Sequence, residues 1–200
     1  HPDSLIYASN HFLADLLVWY HISWMAESVQ RTDARLQRLR DKGQNFTLHD
    51  RRELLQIVLE QLQSIVPRYR ALADSGQVEL SMSPYAHPIV PLLLDMESAR
   101  ESMPGVHMPV ITEYPGGEAR ARWHLRQGLA TFERVFGRKP VGLWPSEGGV
   151  SQQALALFAE FDFRWVASGG NVLNNSHDSA SKSCSHRVYR FGDVALDCFF

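Results

Sequence analysis

Apolar positions along the chain recur with two periods, one helical and one alternating. In residues 11–25, Leu13, Leu16, Leu17, Tyr20 and Trp24 return at helical spacing and predict a helix with one broad buried face. The charged stretch 31–42 is helix-compatible but weakly amphipathic, ends at Gly43, and reads as a solvated surface excursion. Thr47-Leu-His-Asp50 has the form of a capping box, with Asp in place of Glu or Gln, and opens the longest helical pattern in the chain. There Leu54, Val58, Leu62, Ile65, Tyr69 and Leu72 share a face, Pro67 predicts a kink or break, and Gly76 a stop. Residues 77–83 then alternate as a strand does and run into Pro84-Tyr85-Ala86-His87-Pro88, a rigid polar-aromatic corner.

In the second half, 89–116 reads as a short helix followed by a long loop rich in Pro, Met and Gly. Ala121, Leu125, Leu129, Phe132 and Phe136 predict an amphipathic helix, closed by Gly137 and followed by Pro140. Residues 141–151, Val-Gly-Leu-Trp-Pro-Ser-Glu-Gly-Gly-Val-Ser, predict a strand, a tight exposed turn and a helix start. Gly142, Gly148 and Gly149 let the backbone bend, and Ser151 caps the periodic Ala154, Leu155, Phe158 and Phe161. A strand at 163–167 completes a βαβ unit, for which parallel pairing and a right-handed crossover are expected. Residues 169–186, rich in Asn and Ser, read as a long loop, and 187–191 with 194–200 as a hairpin around Gly192-Asp193. Strands alternating with helices place the chain in the α/β class.

Composition narrows the partners more than the fold. Two hundred residues suit one domain or a large part of one, and 44% hydrophobic with 21% charged residues is an ordinary globular balance. A net charge of -2 and a pI near 6.5 give no basic footprint for nucleic acid. No stretch is long and apolar enough to span a bilayer and no signal peptide opens the chain, so no membrane partner and a cytoplasmic location are expected. His1-Pro2 is an abrupt start without an initiator Met, the expectation for a fragment or a processed chain. Cys184 and Cys198 are too few for a disulfide framework; pairing across the last loop and a reduced state are both open.

Candidate chemistry rests on two residues in independent segments. Glu147 and His87 each fall just past the C-terminal end of a predicted strand, where βα loops converge on one crevice. A Glu in a Gly-rich turn is ordinarily just solvated; the coincidence of the two positions is what argues for a site. The chain has no Gly-rich phosphate loop, no Gly-x-Ser-x-Gly elbow and no His-x-x-x-His or Cys-x-x-Cys spacing, so no cofactor and no metal are expected. What remains is a carboxylate near Trp144, Tyr85 and His87. Such a set suits sugar chemistry, in which C–H-rich ring faces pack on aromatics while a Glu attacks the anomeric carbon or moves a proton.

Gly76-Gln-Val-Glu79, Ser83-Pro-Tyr-Ala-His87-Pro88 and Gly142-Leu-Trp-Pro-Ser-Glu147, in that order and with Phe163-Arg-Trp165 after a short helix, resemble glycoside hydrolase family 57. The likeness is to its α-amylase/α-mannosidase-like branch, and extends to Asp15-Leu-Leu-Val-Trp19 and Asn45-Phe-Thr47. The resemblance implies an incomplete (β/α)7 TIM-like barrel with helical excursions, of which residues 1–200 are one part, truncated at both ends. It also implies a retaining enzyme that hydrolyses or transfers α-glucosidic linkages of an α-glucan. By position Glu147 matches the nucleophile, Trp144 a stacking residue and His87 a sugar-binding residue, with Tyr85 and Glu79 as further substrate-binding candidates. The partner implied is an oligo- or polysaccharide.

The departures concern the rest of the catalytic machinery. The family's first motif, His-Gln-Pro, has no counterpart here. Its acid/base is an Asp following a late apolar strand that 194–200 resembles; Asp197 lies inside that strand, whereas catalytic groups belong at strand ends. The acid/base is therefore expected beyond Phe200, and the isolated chain is expected to be nearly inactive. Two alternatives are a non-catalytic carbohydrate-binding or scaffold barrel and a metal-dependent polysaccharide deacetylase, whose paired-Asp and spaced-His motifs are missing.

Overall fold

A computed structural model describes residues 8–176, 187–190 and 192–200. The chain divides into two compact units, residues 1–69 and 70–200.

The first unit is helical: α1 (Asn10–Trp24), α2 (Glu27–Thr32), α3 (Ala34–Lys42) and the first part of α4 (Leu48–Asp74). Its core is Val18, Ile22, Leu36, Leu39, Phe46, Leu54 and Ile57. Ser9 caps α1, its hydroxyl accepting the Phe12 N–H. The broad face predicted for α1 is not the one that packs. Val18 and Ile22 are buried, whereas Leu16, Leu17 and Tyr20 are exposed and Trp24 is 76% exposed. Apolar residues surround most of this helix, so periodicity does not single out the face that meets its neighbours. The stretch 31–42 also differs from a solvated excursion, since Leu36 and Leu39 are fully buried, Asp33 and Arg35 are partly buried in an ion pair, and Arg31, Arg38, Arg40, Asp41 and Lys42 are exposed.

The capping box at the start of α4 forms as its sequence implies. The Thr47 N–H and hydroxyl both donate to Asp50 Oδ2 at 2.7 Å, and the Asp50 N–H returns a bond to Thr47 Oγ1 at 3.3 Å. Lys42 Nζ adds a 2.5 Å contact, and these partners hold the Asp50 carboxyl well below the usual carboxylate range. Pro67 neither ends nor divides α4, which runs unbroken to Asp74. A proline removes one helical hydrogen bond, and the turns on either side persist around the loss. The helix stops at Gly76, in left-handed backbone at φ +73°, with Gly76 N–H bonded to the Ala73 carbonyl and Gln77 N–H to that of Leu72, a Schellman ending. The exposed Leu62, Ile65, Tyr69 and Leu72 show that the predicted apolar face of α4 is buried only around Leu54.

The second unit is built on a four-stranded, wholly parallel sheet in the order β1 (Ser81–Met82), β2 (Gly142–Leu143), β3 (Trp165–Ala167), β4 (Asp197–Phe199). Between the strands lie α5 (Val90–Leu94), α6 (Ala99–Ser102), α7 (Gly117–Phe136), α8 (Gln152–Ala159) and α9 (Gly170–Ser176). Met82, Leu143, Val166 and Cys198 project from one sheet face into the core with Val90, Ala121, Leu125, Phe132, Ala154 and Phe158. Alternate residues stand on the other face. There Gly142 lies beneath the Trp165 ring, where a Cβ would come within 2.1 Å of the indole, and Phe199 meets that ring edge-on at 6.1 Å.

Three expectations need correction in this unit. Among the described residues the hairpin consists of one antiparallel bridge, Tyr189 to Cys198, on the edge of β4 opposite its parallel pairing with β3; Phe191 lies outside the described residues. The loop predicted from residue 169 opens with helix α9, and residues 177–186, Cys184 among them, lie outside the described residues. The strands are also shorter than their patterns. Where the resemblance implies a barrel, the described residues form a sheet of four parallel strands. Cys198 is a free thiol among the described residues, and burial pushes its pKa up to about 11. No helix among the described residues is long and apolar enough to cross a membrane.

Candidate active site

Because the strands are parallel, the segments leaving β1, β2 and β3 emerge at one edge of the sheet. The Trp144 N–H donates to the Met82 carbonyl at 2.8 Å, which joins the start of the second of these segments to the end of β1. Beyond Trp144 the backbone closes into a 3₁₀ turn, Ser146–Gly148, with Glu147 in left-handed conformation at φ +54° and ψ +20°. Across from it Ala86 and His87 also have positive φ, +56° and +57°. Each such non-glycine residue costs about 1–2 kcal/mol, and strain of this kind persists where the surroundings over-determine it. At this point the two segments meet: His87 Nε2 lies 3.2 Å from Glu147 Oε1.

The Glu147 side chain is 75% exposed and His87 is its one close partner among the described residues, so most of the carboxylate's lone pairs face solvent. The turn that presents it is held firmly. Ser168, the first residue past β3, is buried and donates its hydroxyl to the Gly148 carbonyl at 2.6 Å. Gly148 N–H bonds to the Pro145 carbonyl, and Gly149 N–H to that of Ser146. The buried Ser146 hydroxyl has no hydrogen-bond partner among the described residues. On one side Glu147 borders a cavity of about 540 Å³, walled by Ile89, Leu92, Met103, Val106 and Val150 and carrying a second carboxylate, Glu101.

The residues singled out from the sequence fall in three places. His87 and Glu147 are in contact. Trp144 and Tyr85 are half-exposed beside them in sequence, at the same sheet edge; the Tyr85 ring meets the Trp123 ring of α7 edge-on at 5.7 Å, and its N–H bonds to the His124 carbonyl. Glu79 precedes β1, at the opposite end of the strands, and accepts the indole N–H of Trp165, the first residue of β3. Asp197, the first residue of β4, pairs with Arg190 Nε at 2.5 Å. Sequence reasoning missed Ser168, Trp123 and the cavity wall between 89 and 106. Ser168 had a usable signal, since it stands in the same position after β3 as Trp144 after β2.

Among the described residues no group of three or more His, Cys, Asp or Glu is placed to hold a metal ion. A solvent-accessible carboxylate steadied by one histidine, on a rigid turn beside an aromatic ring and a cavity, can attack an electrophilic carbon or take up a proton.

The family profile of Glycosyl hydrolase family 57 matches residues 13–200. Among solved structures, a family 57 branching enzyme from Thermococcus kodakaraensis aligns over 94% of this chain at 19% identity with a TM-score of 0.51. An α-amylase from Thermotoga maritima aligns over 92% at 12% identity and 0.53, and a family 57-type branching enzyme from Pyrococcus horikoshii over 96% at 17% and 0.52. At these identities the likeness is one of fold. This chain spans about a third of their length, covering 33%, 30% and 34% of them. A search of curated proteins gave no match.

Proposed function

The chain belongs to glycosyl hydrolase family 57, and from that premise we propose that it carries the nucleophile of a retaining glycosidase or transglycosylase acting on α-glucosidic linkages of an α-glucan. The observation that carries the reading is the 3.2 Å contact between His87 and Glu147, two residues from separate βα loops, each held in left-handed backbone. Further support comes from the sheet: consecutive strand order and strictly parallel pairing are what one arc of a (β/α) barrel requires. Residues 1–200 are on this reading part of a larger catalytic barrel.

In the mechanism, His87 holds Glu147 Oε1 and leaves Oε2 to attack the anomeric carbon. The C1–O bond to the leaving group breaks as the glycosyl–Glu147 ester forms, and a second carboxylic acid gives its proton to the departing oxygen. That group, about 5 to 5.5 Å from the nucleophile in retaining enzymes, then takes a proton from the water or sugar hydroxyl that cleaves the ester. We assign it to an Asp outside these 200 residues, in keeping with the share of the related structures that the chain spans. Trp144, half-exposed at the head of the turn, stacks on the sugar's C–H face.

An activated fluoro-sugar tests this reading in the chain as it stands, because its leaving group departs without a proton. The expected result is one covalent glycosyl adduct, located on Glu147 by peptide mass mapping. An adduct on Glu101, the other carboxylate of the cavity, or on any further residue would overturn the assignment.

A further inference from the structure

Beyond the pair at Glu147, the rim of the second unit carries aromatic surface that the reaction leaves unused. Trp123 is 46% and Tyr85 45% exposed, although their rings touch, with centroids 5.7 Å apart in an edge-to-face arrangement. Single exposed apolar side chains are ordinary; two adjoining rings held by their backbones are a built surface. The Tyr85 N–H donates to the His124 carbonyl at 3.1 Å, and His124 Nδ1 reaches the Tyr85 carbonyl at 2.5 Å, so the loop of Tyr85 is clamped to α7. Arg120 and Gln127, both exposed, stand three residues before and four after Trp123, one turn away on the same side of α7. An aromatic face flanked by hydrogen-bonding side chains is what a sugar ring needs, apolar on its C–H face and polar at its edge. Tyr85 lies two residues before His87, which touches Glu147, so the loop that carries one ring of this surface also carries part of the candidate site.

We propose that Tyr85 and Trp123 form an outlying stacking surface for an α-glucan chain, gripping sugar units beyond those held at Glu147. The proposal rests on the glycosidase reading above for the chemistry of its ligand. It requires affinity to grow with oligosaccharide length, and Trp123 to carry that growth.

The test is titration calorimetry of maltose and maltoheptaose against the full chain and its Trp123→Ala and Trp123→Phe variants. Trp123→Ala is expected to weaken maltoheptaose binding about five- to tenfold, the worth of one aromatic stacking contact. Maltose binding should stay unchanged, and Trp123→Phe should keep most of the affinity. Equal losses for the two sugars, or no loss for maltoheptaose, would overturn the proposal. Fluoro-sugar labelling separates this failure from that of the glycosidase reading. Label on Glu147 without length dependence overturns the outlying surface alone. Label elsewhere with the length dependence intact overturns the nucleophile assignment and supports the surface.

Discussion

Asp15 and Glu147 are both carboxylates in motifs that resemble the family, and both join segments distant in the sequence, yet their surroundings give them opposite work. Asp15 accepts the backbone N–H groups of Asn45 and Phe46 at 2.8 and 2.9 Å. These bonds hold its carboxyl below the usual range. One helical turn along α1, Trp19 donates its indole N–H to the Gly43 carbonyl at 2.7 Å and meets Phe46 edge-on. Asp15-Leu-Leu-Val-Trp19 and Asn45-Phe-Thr47 are thus two halves of one junction, and the carboxylate in it is occupied by main chain. Among the described residues Glu147 has a single imidazole within reach, and three-quarters of its side chain is in solvent. Membership in a motif therefore does not by itself assign chemistry; what each carboxylate still has free to offer a ligand does.

That contrast breaks most sharply at Glu147→Gln. Fluoro-sugar labelling should fall on the order of 10³-fold or more, since an amide is no nucleophile, while thermal unfolding stays within about 0.5 kcal/mol, as for other exposed substitutions. Unchanged labelling would place Glu147 with the structural carboxylates. His87→Ala comes next: the labelling rate should drop by about 10²-fold as the carboxylate loses its orientation, with binding of the sugar retained in part. Rate measurements at several fluoro-sugar concentrations separate the two terms.

On the other side of the comparison, Asp50→Ala should lower stability by about 1 kcal/mol through the lost helix cap, read by urea denaturation, and leave the labelling of Glu147 untouched. Acid titration sharpens the same point. Asp15 and Asp50 have depressed native values, so their contribution is complete above the unfolded carboxyl value of about 3.9 and is lost as pH falls below it. Asp15→Asn should accordingly flatten the fall in melting temperature between about pH 5 and pH 2, the smallest of these effects. A variant as acid-sensitive as the parent would remove Asp15 from the stabilising set.

Legibility followed the range of the forces involved. Local signals came through: the Thr47–Asp50 box, the Gly76 stop and the Ser151 cap, whose hydroxyl accepts the Ala154 N–H at 3.2 Å. Each is settled within one or two turns of backbone. The candidate site was half legible. Strand-end positions marked His87 and Glu147 separately, and their meeting depended on β1 and β2 pairing in register, Ser81 with Gly142 and Met82 with Leu143. Trp123 escaped because nothing near it in sequence reveals what it touches, and Ser168 carried only its position after β3, which does not tell that it reaches Gly148. The mistaken face of α1 has the same origin: with Leu16, Leu17 and Tyr20 competing against Val18 and Ile22, only the partners Leu36, Leu39 and Leu54 select the side that is buried.

The sequence by itself determined the α/β alternation, the helix ends and the two loops that hold the candidate chemistry, because capping, turn formation and apolar periodicity act over a few residues. Tertiary structure alone decided that His87 reaches Glu147, that Asp15 is occupied by main chain, and that Glu79 serves Trp165 at the far end of the strands. The first and third depend on strand order and register and the second on α1 packing against the turn between α3 and α4, bringing together residues 60, 86 and 31 positions apart. No pattern confined to one segment encodes a contact whose other half is supplied by a different one.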